Sequence, residues 1–300
     1  MSFIPLKLAR FCVLVLLLVF ATFAAPALAA PPTKSWVVHW QPAKLVNGSP
    51  VIFQVSAPVH VVALSGKWLD HEVFFFHDLH SSAWYGIAGI ALDTPAGTHT
   101  LTLQANSATG TQLSIRRSVT IRHAKYPSIK IKVAKEFVSP SPEQVQRIDQ
   151  EKALKQRLFA TVDPDRLWSG NFHAPVIAHI SDLFGTARVL NGKAQSVHQG
   201  LDYAVPEGTA VSALNRGTVL LARPLFFEGN CVILDHGQGL FSLYMHLSKI
   251  NVQEGDQIAS GQPLGLSGGT GRVTGPHLHI AVRWQGVYLN PATLLQLRIP

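Results

Sequence analysis

Gly271-Arg272-Val273-Thr274-Gly275-Pro276-His277-Leu278-His279-Ile280 carries two histidines one residue apart in a strand-rich, glycine-punctuated setting. Side chains at i and i+2 of a strand share a face, so His277 and His279 can offer two imidazoles to one metal. They can equally give one imidazole to a metal and the other to a substrate. An H-x-H pair alone does not decide between these, and other polar positions have to.

Upstream, His198-Gln199-Gly200-Leu201-Asp202 places an imidazole and a carboxylate four residues apart. Gly200 and the following Tyr203-Ala204-Val205-Pro206 argue against a helix there and for an extended or bulged segment. Between the two motifs lies Tyr244-Met245-His246-Leu247-Ser248, a histidine closing an alternating apolar run. Three histidine sites and one aspartate supply three protein ligands with polar groups left over. That is the count of a catalytic zinc, which keeps one position open, whereas a structural zinc takes four ligands and usually cysteines. No G-x-S-x-G elbow accompanies the histidines, which argues against a serine hydrolase.

HQGLD, YMHLS and GGTGRVTGPHLH, in this order, resemble the motifs of the lysostaphin-type (LytM-type) zinc metalloendopeptidases, which cut peptide cross-links of peptidoglycan. The likeness runs from about residue 183 to 290 and takes in Phe184-Gly185, the GTAV from Gly208, LDHGQG at 234–239 and EGDQIASGQPLG at 254–265. It implies one Zn²⁺ per chain held by His198, Asp202 and His279. It also implies that His246 and His277 are catalytic without binding the metal, one as general base and the other toward the oxyanion, in an order left open. All five positions are intact, unlike in degenerate family members that activate other hydrolases. The resemblance thus implies a metalloendopeptidase whose partners are peptidoglycan stem peptides or cross-bridges, with regulatory wall proteins as further candidates. The alternative is a non-catalytic wall-binding protein or activator of a wall amidase.

The expected fold is all-β. Residues 31–138 read as an immunoglobulin-like β-sandwich from short apolar runs at 51–55, 61–64, 73–76, 84–87, 98–103 and 118–121 with turns between them. Part of this half also resembles a domain that precedes some of these peptidases. Residues 139–165 read as a linker with a helix: Ser141 caps, Pro142 fits the first turn, and Val145, Ile148, Leu154 and Leu158 mark one apolar face to about Phe159. Residues 166–300, with strands at 209–213, 217–221, 231–234, 241–244 and 279–282, read as a glycine-rich antiparallel peptidase domain.

Residues 1–30 have Lys7 and Arg10 before an uncharged apolar run and end in Ala27-Leu28-Ala29, the pattern of a secretory signal peptide. An uncleaved anchor is the competing reading. Export to the periplasm, wall or medium is expected either way, with no stable membrane insertion after cleavage. Cleavage removes Cys12 and leaves Cys231 alone, so no intramolecular disulfide forms. Loss of Lys7 and Arg10 takes the net charge from +8 to +6, which suits anionic surroundings. The basic residues are scattered, so nucleic acid is not an expected partner.

The remaining polar residues carry weaker expectations. His71, His77 and His80 with Asp70 and Asp78 read as loop residues, not a second metal site. His236 reads as a turn residue. His173 and His179 are candidates for a groove wall, Asn191 and Tyr203 for positioning substrate, and Arg188 and Arg272 for binding a stem-peptide carboxylate.

Overall fold

The computed structural model describes residues 1–2, 35–192 and 194–300; the signal-peptide reading falls on residues outside these. The described residues from 35 onward form one compact unit, almost entirely β, with a helix at Pro142–Leu158 and a short one at Pro291–Leu294. Among the described residues no helix is long and apolar enough to cross a membrane.

The N-terminal half is two packed sheets. One orders Val37–Gln41, Pro50–Ser56, Ala83–Gly89 and Phe76–Asp78; the other orders Leu45–Val46, Gln112–Arg122, Gly97–Ser107, Val61–Trp68 and His71–Phe74. Alternating apolar residues on each inner face meet in the core, where Phe53 and Trp68 stack edge-on at 5.4 Å and the Trp68 indole N–H donates to the Gly89 carbonyl at 3.1 Å. The expected single run at 73–76 is instead two strands in different sheets. Phe75 makes the corner, its ring filling the space left by Gly66 and Gly86.

The C-terminal half is built on an eight-stranded antiparallel sheet. Its order is Ile180–Asp182, Leu201–Tyr203, Leu278–Trp284, Leu240–Leu247, Gly229–Asp235, Gly217–Leu225 and Gln257–Ile258, with Val287–Leu289 beside Leu278–Trp284. The central strands are buried on both faces, which explains near-continuous apolar runs such as Cys231–Leu234 in place of alternation. Cys231 is a buried free thiol whose pKa burial pushes up. The core is continuous with that of the first half: a Cβ on Gly89 would lie 2.6 Å from Leu289 and 3.0 Å from Trp284.

The helix begins as its sequence dictates. The Ser141 hydroxyl accepts from the Gln144 N–H, the Gln144 side chain returns a bond to the Ser141 N–H, and Pro142 opens the first turn. Leu154, Leu158 and Phe159 pack on the cluster around Cys231 and Phe241, but Val145 is exposed, so the apolar face covers only the C-terminal turns. Lys155 closes the contact by an ion pair with Glu228.

A small three-stranded sheet joins the halves. Ser128–Ile131 lies parallel to Ala187–Leu190, which pairs antiparallel with Ala194–Val197. Asn191, expected to position substrate, does something else. At φ +50° it turns the hairpin, its amide donates to and accepts from Val133, and its N–H donates to Ile131. Nearby, Tyr126 lies across Gly185, and its hydroxyl donates to the Asn47 carbonyl at 2.6 Å. A methyl on Gly185 would sit 2.2 Å from the Tyr126 ring, and its φ of +82° disfavours any L side chain. Gly185→Ala is expected to lower unfolding stability by at least about 2 kcal/mol, read from the urea midpoint. A change within error would show that Tyr126 can move aside without cost.

His236 is not in the positive-φ part of its turn, where Gly237, Gln238 and Gly239 sit. It is fully buried, donating from one ring nitrogen to the Arg216 carbonyl and sharing a hydrogen bond of 2.7 Å with Ser242. Burial lowers its pKa from 6.5 to about 4. The unfolded chain therefore takes up this proton first. The contribution is constant above about pH 6.5, and stability is lost as pH falls from there toward 4, by roughly 3 kcal/mol in all. The urea midpoint of the wild type should fall more steeply over that window than that of His236→Gln; parallel profiles would remove His236 as the cause.

Candidate metal centre

Strand register brings the aspartate and one histidine together. Asp202 stands directly opposite His279 on neighbouring strands, and Asp182 opposite Asp202 on the next. Residues in register share a face, so these three side chains form one row across the sheet edge. Leu201, Tyr203, Leu278 and Ile280, on the alternate face, are buried in the core. Tyr203 is therefore a core residue, and burial raises its phenol pKa.

His198 reaches the row from the residues before the Leu201–Tyr203 strand. Its N–H donates to Thr186 and its carbonyl accepts from Gly185, while its Nδ1–H donates to the Leu183 carbonyl at 2.8 Å. That bond leaves Nε2 with its lone pair directed at the row. His198 Nε2 lies 3.1 Å from Asp202 Oδ1 and 3.0 Å from His279 Nδ1, and the last two are 2.7 Å apart. Among the described residues this is the single group of three His, Cys, Asp or Glu side chains whose ligand atoms converge in this way. Gly200 is required beneath it: a Cβ there would lie 2.3 Å from the Ile280 carbonyl and 2.5 Å from His279 Nε2.

The donor set fits zinc. Ligand atoms each about 2.0–2.2 Å from a tetrahedral ion are separated by roughly 3.3–3.6 Å, so the triangle needs to open by only a few tenths of an ångström. Its composition, two imidazoles and a carboxylate, belongs to open catalytic sites. Burial alone would raise the Asp202 pKa, but contacts with His198 and His279 outweigh it and hold the carboxyl well below its ordinary range. Burial lowers the His279 pKa, against the pull of Asp202.

Two more imidazoles flank the triad. His277 Nδ1–H donates to the Gly275 carbonyl at 2.8 Å and its Nε2 lies 3.7 Å from Asp202 Oδ1. His246 reaches the same place by a break in alternation. Met245 is in register with His279, so a regular strand would send His246 to the opposite face. Its φ of +63° turns it back, placing its ring centroid 4.9 Å from that of His277 and 5.9 Å from that of His279. A non-glycine residue in this region costs about 1–2 kcal/mol. Here the surroundings hold it: the His246 N–H donates to Glu228 and its Nδ1–H to Thr270, both at 2.8 Å. Burial, then the neighbouring His279 and His277, lower its pKa to about 3, so it is a neutral imidazole at neutral pH, with Nε2 free to accept.

Arg188, a candidate for binding a stem-peptide carboxylate, is occupied by two of the chain's own carboxylates. Its guanidinium bridges Asp182 and Asp202, with Nη2 2.5 Å from Asp182 Oδ2 and 2.6 Å from Asp202 Oδ2. It thereby fixes which Asp202 oxygen turns to the triad, in the manner of an outer partner orienting a ligand. Asp182 was not among the expected site residues; its signal was the strand pairing, which no local motif announces. His173 and His179 are exposed and lie outside both cavities beside the triad. In the N-terminal half, His71 packs on Trp284, His77 on Trp84, and Asp78 bonds Ser81, so these do not converge.

A β-sheet edge carrying two histidines and an aspartate, flanked by two further imidazoles, has the donor arrangement of an open metal site. Residues 196–291 match Peptidase family M23. The chain is 43% identical over 103 residues to peptidoglycan DD-endopeptidase ShyA of Vibrio cholerae, covering 34% of this chain and 23% of that protein. It is 40% identical over 98 residues to DD-carboxypeptidase/endopeptidase Mpg of Neisseria meningitidis, covering 33% and 23%. The chain thus spans about a quarter of the length of these curated relatives. A crystal structure named for peptidase M23 from Pseudomonas aeruginosa is similar over 84% of this chain and 95% of its own, at 28% identity and a TM-score of 0.64.

Proposed function

We propose that the chain is an exported zinc metalloendopeptidase that hydrolyses peptide cross-links of peptidoglycan. The observation that carries this is the convergence of His198 Nε2, Asp202 Oδ1 and His279 Nδ1 within 2.7–3.1 Å, beside His246 and His277. His198, Asp202 and His279 would hold one zinc ion, which supplies Lewis acidity and an acidified water. The chain's own groups do the rest. Nδ1 of His246 and of His277 is tied to a backbone carbonyl, so each ring presents Nε2 to the reacting atoms. One ring accepts the proton of the attacking water at Nε2 and passes it to the leaving amine; the other, its Nδ1–H already committed, stabilises the developing oxyanion as a doubly protonated ring that donates from Nε2. Arg188 holds Asp202 in orientation.

The substrate assignment draws on ShyA and Mpg, whose names give peptidoglycan DD-endopeptidase and DD-carboxypeptidase/endopeptidase activities. Action in the cell envelope follows from that substrate and agrees with the leader-like residues 1–30. The test is mass spectrometry of purified sacculi after incubation with the zinc-loaded chain, with a chelated control. Chelator-sensitive release of cross-link-cleaved muropeptides is expected. Zinc near one per chain without any cleavage would sink the endopeptidase reading and favour a wall-binding or activating role.

A further inference from the structure

Two cavities flank the triad, one of about 330 Å³ and one of about 160 Å³, and four side chains line both: Arg188, Ser196, His246 and Arg272. The two arginines differ in one respect that matters. Arg188 is neutralised by Asp182 and Asp202. Arg272 has no carboxylate within 4.0 Å of its guanidinium among the described residues.

Arg272 is nevertheless held in place. Its N–H donates to the Phe227 carbonyl at 2.9 Å, and its guanidinium lies 4.6 Å over the Phe227 ring. Gly271 before it, at φ +75°, packs so tightly on Gly229 that a Cβ would lie 2.3 Å from the Gly229 N. The backbone under Arg272 is pinned, and its planar head is pre-oriented by stacking. Burial first, and then the charge of Arg188, disfavour its charged form, while the Glu228 carboxylate pulls the other way without pairing with it. A partly buried, stacked guanidinium with no directly paired carboxylate is completed by an anion entering the cleft.

We infer that Arg272 is a specificity-determining residue that receives a carboxylate of the peptide lying in the cleft beside His246. This rests on the endopeptidase reading for its substrate and deepens it. A stem peptide offers carboxylates from two sources, the C-terminal residue and the side chain of a diamino acid. Both present the same planar pair of oxygens to the guanidinium fork.

The test measures equilibrium binding by calorimetry to the zinc-loaded full chain carrying His246→Ala, which blocks turnover. The probes are cross-linked stem-peptide pairs made as free acids, as C-terminal carboxamides, and as carboxamides of the diamino acid. One of the two amides should bind about 10- to 100-fold more weakly than the free acid, the effect expected of a lost charge-assisted hydrogen-bonded pair. Which amide it is names the source. Arg272→Gln should erase that difference, and Arg272→Lys should keep part of it, since lysine retains the charge without the fork. Equal binding of acid and amides, or an acid preference that survives Arg272→Gln, overturns the inference. Absence of any binding up to millimolar concentration overturns it as well. Thermal midpoints of both variants separate loss of the Phe227 stack from loss of recognition. Cleavage of the free-acid probe by the otherwise unaltered chain is scored in parallel, so a failure of the endopeptidase reading shows there and not in the binding ratio.

Discussion

Replacing His198 or Asp202 by alanine is expected to remove both the zinc and the hydrolysis of the proposed function. Each side chain contributes one corner of a triangle whose edges are 2.7–3.1 Å, and two remaining ligands do not hold a catalytic zinc. Activity on sacculi should fall by at least about 10³-fold, because both the Lewis acid and the acidified water go with the metal. Zinc content measured by mass spectrometry after dialysis should fall from about one per chain to a small fraction of that. The two variants differ in stability. Asp202→Ala leaves Arg188 paired with Asp182 alone, whereas His198→Ala leaves the Leu183 carbonyl without its imidazole donor. A variant that retained stoichiometric zinc would discard the ligand assignment at that position.

The second large effect separates chemistry from metal binding. His246→Ala should keep its zinc and lose about 10²- to 10⁴-fold in turnover, the range for a positioned acid–base group. Its nitrogen atoms lie outside the metal triangle, and its Nδ1–H is committed to Thr270. The fold should survive, since alanine meets the same positive-φ demand at similar cost and only the Thr270 carbonyl loses a partner, at about 1 kcal/mol. Zinc content and thermal midpoint measured beside turnover decide the case. Normal turnover would take His246 out of the reacting set, and loss of zinc would move it among the ligands.

The convergence of His198, Asp202 and His279 was legible through the three ordered motifs and the resemblance they carry, while strand periodicity gave only the shared face of His277 and His279. His277 and His279 do face one side, and the H-x-x-x-D segment is extended, as Gly200 and Val205-Pro206 required. The β runs of both halves were read within a few residues, since alternation over an inner face is a local signal. What was missed depends on partners distant in sequence. Asp182 enters through register with Asp202, and Arg188 becomes a bridge between carboxylates only once those strands pair. Asn191 reads as a candidate for positioning substrate until Val133 arrives beside it and takes up its amide. His236 looks like a turn histidine, yet tertiary packing buries it completely. The left-handed backbone at His246 has no composition cue, because strain there is sustained by Glu228 and Thr270 and not by a glycine.

The strand at Ser128–Ile131 brings a second stretch of chain to the cleft. Its Ile129 and Ile131, with Val133 just beyond, face the larger cavity together with Asp182 and Arg188. All five lie before residue 196, where the match to Peptidase family M23 begins. His198, Asp202, His246, His277 and His279 thus come from one stretch of chain and this part of the cleft wall from another, so a substitution at Ile129 or Ile131 would reshape the cleft without touching any of the five.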